Sequence, residues 1–356
     1  MKVIYIEKAQ WASGLEKAGD SFRLWGPVRR GQFYAFEELA GGQVPALDFR
    51  NTRLSAKGLV YPQSEKMFEY TLDPGQPDHD LLKEAQKDYS PRAVLGIRPC
   101  DADAFELVAR NFDTPEYQDP YWLRAREAVT LVGLACAAPC STCFCTSAGS
   151  GPFSTKGLDI LLVDSGGNFL AQVATPKGEA FAQAAGWRQP ADDAAAAEID
   201  RQRQVAEARI DSHVATERLR QQDTLTLHAA PFWDDVAFAC INCGTCTYLC
   251  PTCWCFDIQD ETHGRQGVRL RNWDSCMFPL FTLHGSGHNP RGQKVQRVRQ
   301  RFMHKLKYYV DKYENGIQCV GCGRCVRHCP VNIDIRKVCE LMNSYTLAGD
   351  SCAVVS

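Results

Sequence analysis

The sequence predicts an α+β chain: an N-terminal α/β domain with a mixed sheet, followed by a mostly α-helical, cysteine-rich domain. Three observations predict it. Two cysteine runs of identical spacing occupy the C-terminal third, Cys240, Cys243, Cys246 and Cys250 before Pro251, then Cys319, Cys322, Cys325 and Cys329 before Pro330. Short apolar runs alternate with a segment of helical period between residues 93 and 173. An Ala-rich, heavily charged stretch without Gly or Pro, Ala191 to Gln222, stands between the two regions. The expected parts are therefore an α/β domain over 1–190, a helical connector over 191–225 and the cysteine-rich unit over 226–356.

Residues 1 to about 90 hold short alternating stretches such as FRLWGPV and GQFYAFEEL, set off by Gly and Pro, which read as strands and hairpins. The stretch NTRLSAKGLVYPQSEKMFEY, with Arg53, Lys57, Glu65 and Lys66 among apolar residues, reads as a solvated surface segment. AVLGI is a strand that delivers Cys100. Phe105, Val108 and Phe112 then recur at helical spacing behind Asp101 or Asp103 as N-cap. VTLVGLA is a second strand, ending at Cys136. Were the two strands parallel neighbours, both cysteines would emerge at the carboxyl edge, where open α/β sheets bind their ligands. Cys143 and Cys145 follow in the next loop, so four thiolates can converge, with Cys140 as a fifth candidate. DILLV and FLAQVA complete the domain as strands joined through Gly166 and Gly167.

Each C-terminal run reads C-x2-C-x2-C-x3-C-P, the ligand spacing of a two-cluster ferredoxin, whose fourth Cys crosses to the other cubane. Two [4Fe–4S] clusters are expected. The crossing rule gives one to Cys240, Cys243, Cys246 and Cys329, the other to Cys319, Cys322, Cys325 and Cys250. Gly244, Gly321 and Gly323 lie between ligands, where positive φ and close approach to inorganic sulfide are useful. Structural zinc also uses C-x2-C pairs but needs only four ligands, so a third and fourth Cys in each run fit it poorly.

The 68 residues from 251 to 318 form an insert between the runs, for which helical supports suit better than a ferredoxin's hairpins. Phe302, Leu306 and Val310 recur at i, i+4 and i+8. Arg297, Arg299, Arg301, Lys305 and Lys307 then read as a solvated face or as a dock for an acidic partner. Cys253, Cys255 and Cys276 lack a fourth neighbour unless Cys339, His284 or His288 joins them. They read as buried thiols that tune cluster potential, or as ligands of a substrate-binding iron–sulfur centre.

Composition excludes several classes. The chain has 356 residues, 45% of them hydrophobic and 23% charged, as in ordinary globular proteins. Its 18 Cys do not sit in a short secreted scaffold: the start MKVIYIEK has no apolar signal region. A reducing cytoplasm is expected. No apolar run reaches the length of a membrane span. The net charge of −2 argues against a nucleic-acid protein, although from Cys240 onward 15 Lys+Arg face 9 Asp+Glu, which leaves −8 for the rest.

The motifs NTRLSAKGLVYPQSEKMFEY, GIRPCDADAF, CSTCFCTSAGSGP, CINCGTCTYLCPTCWCF, RNWDSCMFPLFTLHGSGHNPR and CVGCGRCVRHCPVNIDI together resemble the iron–sulfur family that joins the A-type subunit of anaerobic sulfite reductase with the sulfhydrogenase beta subunit. That resemblance covers nearly the whole chain. It implies an α-helical ferredoxin-like dicluster domain, and a third cluster ligated at Cys100, Cys136, Cys143 and Cys145, with Cys140 as the departure from the family pattern. It also implies an electron conduit in a multi-subunit complex of an anaerobe. The partners would be a flavoprotein that oxidises NAD(P)H and a catalytic or cluster-bearing subunit of hydrogenase, sulfite reductase or heterodisulfide reductase type. Neither G-x-G-x-x-G after a strand nor a P-loop occurs, so the flavin is expected on another chain and no catalytic residue is assigned here.

Overall fold

The computed structural model describes residues 2–314 and 316–346. The last part of the expected 226–356 unit lies outside the described residues. Eleven strands are formed: β1 (Lys2–Glu7), β2 (Arg23–Arg30), β3 (Phe33–Glu38), β4 (Ser64–Thr71), β5 (Lys83–Glu84), β6 (Arg92–Ile97), β7 (Val129–Leu134), β8 (Ile160–Asp164), β9 (Asn168–Val173), β10 (Phe256–His263) and β11 (Gln266–Trp273). Seven make a mixed sheet in the order β1-β9-β8-β7-β6-β2-β3. Its central strands β8, β7, β6 and β2 are parallel, and antiparallel pairs close both edges.

Alternation along the central strands sorts two cores. Val94, Ile97, Val129, Leu131, Leu161 and Val163 face one side, with Phe105, Val108, Phe112 and Trp122 from the helices above them. Ala93, Leu95, Val132, Leu134, Ile160 and Leu162 face the other, against Trp11, Leu15, Phe181 and Trp187. A third core under the C-terminal helices gathers Trp233, Phe302, Leu306, Val310, Ile335 and Val338. The mixed sheet followed by a cysteine-rich helical region is the expected fold class.

Four local expectations change. Residues 8–19 are a helix, not part of a hairpin. The helix after β6 starts at Pro99 with Arg98 in the N-cap position and no side-chain cap. Asp101 and Asp103 are instead consumed by ion pairs with Arg324 and Lys156. The Ala-rich helix covers Ala194–Glu207 and stops short of Gln222. The chain beyond it is pinned to the 145–148 turn: Val214 N–H donates to Ser147 Oγ at 3.0 Å, and Thr216 Oγ1 to Ser147 O at 2.6 Å. Finally, the insert opens with the β10–β11 hairpin, whose two-residue loop places Gly264 at φ +60°, as primed hairpin turns require. β11 pairs with β4, so the insert completes a second sheet, β10-β11-β4-β5, with the N-terminal region.

The expected helical support appears at Lys294–Met303 and continues through a π-turn, His304–Tyr308, into Tyr309–Tyr313. Such turns recur at functional sites. No described helix is long and apolar enough to cross a membrane.

Candidate metal centres

Short helices present the first run. Cys243 and Cys246 flank the start of the turn Thr245–Tyr248, with Gly244 at φ +73° as its N-cap. Cys240, Cys243, Cys246 and the crossing Cys329 line one cavity, walled by Met277, Val298 and Phe302. This is the grouping expected from the spacing. Cys325 of the other set is also on that wall. Burial pushes the Cys240 and Cys246 thiols up, with the Arg301 guanidinium opposing the rise at Cys246.

Cys319, Cys322, Cys325 and Cys250 come together as the second set, close enough for their charges to act on one another. Burial raises Cys319 to about 11 and moves Cys322 and Cys325 upward too. Cys250 goes the other way because Cys253 hydrogen-bonds to it. Gly321 and Gly323 have φ +61° and +69° as expected, but they approach protein. A Cβ on Gly321 would lie 2.5 Å from Cys145 N, and one on Gly323 would lie 2.6 Å from Thr142 O. The loop 142–145 is thus pressed onto the second run, and Phe144 N–H donates to Gly321 O at 2.9 Å.

β6 and β7 are parallel neighbours, so Cys100 and Cys136 leave the same sheet edge. With Cys143 and Cys145 they line a cavity that Cys140 and Cys322 also border. Cys143 Sγ lies 3.7 Å from Cys322 O. Burial lifts Cys145 to about 12, whereas a hydrogen bond from Cys143 brings Cys140 down to about 6.

The charged groups around these sets were not legible in the sequence. Arg324 is fully buried between Cys322 and Cys325, where it pairs with Asp101 beside Cys100 (Nη1–Oδ1 2.5 Å) and donates to Asn51 and Thr52. It joins the second run to the sheet edge. The stretch read as solvated contributes Lys57, whose ammonium donates to Cys250 O and Cys253 O, both at 3.0 Å, and lies 3.9 Å above the Trp273 ring. Burial brings it down to about 8. Glu65 of the same stretch is buried against Arg271; Arg53 and Lys66 remain exposed. The basic face expected on the 294–313 helix turns inward. Arg297, Arg301, Lys305 and Lys307 are buried, on backbone carbonyls and around the cysteines.

The residues fit anionic clusters. Arg98 Nε in the third cavity, and Arg301 Nε and Nη1 beside the first, are buried without a partner, a costly state for a guanidinium unless a negative group stands opposite. Among the described residues no three His, Cys, Asp or Glu side chains gather tightly enough for a single metal ion. The thiols are spread, unlike the tetrahedron that one zinc ion draws at about 2.3 Å.

Residues 239–333 match the family described as a 4Fe-4S dicluster domain. Over 348 residues the chain is 30% identical to sulfhydrogenase 2 subunit beta of Pyrococcus furiosus, a match that covers 96% of this chain and 98% of that protein. The chain belongs to that subunit's family. It is a 4Fe–4S iron–sulfur protein of electron transport. No solved structure matches it.

Proposed function

We propose that this chain is the electron-relay subunit of a multi-subunit oxidoreductase. It passes single electrons between a flavoprotein that oxidises NAD(P)H and a catalytic or cluster-bearing subunit, of the hydrogenase type that its relative's name carries. The supporting observation is adjacency: the middle set borders both outer cavities, through Cys325 on one side and Cys322 on the other. In this reading Cys240, Cys243, Cys246 and Cys329 hold one cubane, Cys250, Cys319, Cys322 and Cys325 the second, and Cys100, Cys136, Cys143 and Cys145 a third. The third belongs to the α/β part (1–190), the other two to the part from 226 onward. A bound [4Fe–4S] cluster supplies reversible one-electron chemistry.

The protein's own residues do the rest. Arg98, Arg301, Arg324 and Lys305 offset cluster charge from buried positions, and the apolar walls exclude water. Cys243 is exposed, Ile241 (62% exposed) lines the same cavity, and Phe238 (84%) ends the helix just before Cys240, so the first site has an edge that a partner can reach. Thiols kept as metal ligands suit a reducing cytoplasm.

Mixing experiments test the relay. NAD(P)H alone should leave the visible iron–sulfur absorption unchanged, and a catalytic amount of an NAD(P)H-oxidising flavoprotein should bleach it. Direct reduction by NAD(P)H, or a spectrum that shifts when sulfite or polysulfide is added to the isolated chain, would overturn the reading in favour of a subunit with its own substrate site.

A further inference from the structure

Six cysteines lie outside both runs and outside the third set, and three of them share one site. Cys253, Cys255 and Cys276 line a small cavity together with Trp254, Arg301, His304, Lys305 and Gln318. The chain brings them there from two directions. Cys253 and Cys255 follow the first run, and Cys276 follows β11; Asp274 N–H donates to Cys255 O at 2.9 Å and locks the two loops together. Of the side chains that the sequence offers as fourth members, Cys339 is in the helical core, and His284 and His288 meet edge to face in an exposed loop. The histidine that does line the cavity is His304, in the first position of the π-turn.

The polar atoms of this cavity lack a counterpart. Arg301 is 2% exposed and donates only through Nη2, to Cys246 O at 3.0 Å; its Nε and Nη1, and Trp254 Nε1, have no hydrogen-bond partner. Lys305 is already committed, donating to Thr252 Oγ1 at 2.6 Å and Gln318 O at 3.1 Å. Three soft sulfurs, an indole N–H and a buried guanidinium that this space shares with the first cavity suit an anionic, sulfur-rich group. A single ion does not suit, since these thiols, like those of the two runs, are not drawn tightly about one point.

We propose that Cys253, Cys255 and Cys276 would hold a further iron–sulfur centre, a cubane, with His304 as the remaining donor that lines the space. The site goes beyond the three-cluster relay. It adjoins the middle set at Cys250, three residues before Cys253, which would make that set a branch point.

The test is anaerobic iron and acid-labile sulfide analysis of the reconstituted full chain, with EPR during a redox titration. Cys276→Ala should hold about four irons fewer than wild type and lose one signal, while the equally buried control Cys339→Ala keeps all of them. Cys255→Ser, which retains size and a weaker oxygen ligand, should shift or abolish the same signal; it decides the matter should Cys276→Ala fail to fold. Full iron and unchanged spectra in either folded variant would overturn the proposal. Failure here would leave any iron loss in Cys143→Ala untouched, so the relay and the added centre stand or fall separately.

Discussion

The two cysteine runs share one spacing and live in opposite surroundings. In the first, Cys243 is exposed, and a Cβ on Gly244 would meet the Phe278 ring at 2.9 Å, a side chain that can turn away. In the second, Cys319 and Cys322 are buried, and a Cβ on Gly321 would meet the backbone of Phe144 and Cys145 at 2.5 Å. Spacing specifies what is bound, while the neighbouring elements specify what the bound group can reach. One run has an exposed member, Cys243. The other is held against the 142–145 loop and the β6 edge by Arg324 and Gly321, and in the proposed relay it is the hub.

The strongest way to break the contrast is to cut the lock. Arg324→Ala leaves Asp101 buried and unpaired, which should cost about 3–5 kcal/mol; anaerobic denaturant unfolding reads it. Arg327→Ala, on a half-buried residue of the same run that donates to Thr142 Oγ1 at 3.3 Å, should cost only about 0.5–1.5 kcal/mol. Gly321→Ala should cost about 2–4 kcal/mol, because the left-handed penalty adds to an overlap with backbone that cannot yield. Gly244→Ala should cost about 1–2 kcal/mol, the left-handed penalty alone. Equal losses at the two glycines would erase the distinction between the runs. Lys57→Met removes the donor shared by Cys250 O and Cys253 O and should cost about 1–3 kcal/mol, with thermal unfolding as the readout. The smallest stability effect is expected at the outward edge. Phe238→Ser and Ile241→Ser should change stability by no more than about 0.5 kcal/mol yet slow reduction by the partner flavoprotein in stopped flow.

The grouping of the cysteines was legible because cluster ligation imposes a local spacing, and both crossing cysteines, Cys250 and Cys329, lie with the sets that the spacing assigned. The strands ending at Cys100 and Cys136 were legible as apolar runs. The shell around the cysteines was not. Lys57, Arg301 and Lys305 have ordinary exposed-charge patterns in sequence, and their burial comes from distant partners: Lys57 reaches Cys250 O across 193 residues, and Arg324 reaches Asp101 across 223. The β10–β11 hairpin was hidden for a similar reason, since its sheet is completed by β4 from the opposite end of the chain. The helix at 8–19 has no side-chain cap to announce it.

The central claim is that the α/β domain carries a cluster of its own next to the middle set. Iron and sulfide analysis with redox-titrated EPR, wild type beside Cys143→Ala, tests it most directly. The account expects the variant to lose about four irons and one signal, together with any magnetic coupling that signal has to the middle cluster. Equal iron and identical spectra would contradict it and leave Cys100, Cys136, Cys143 and Cys145 as structural thiols.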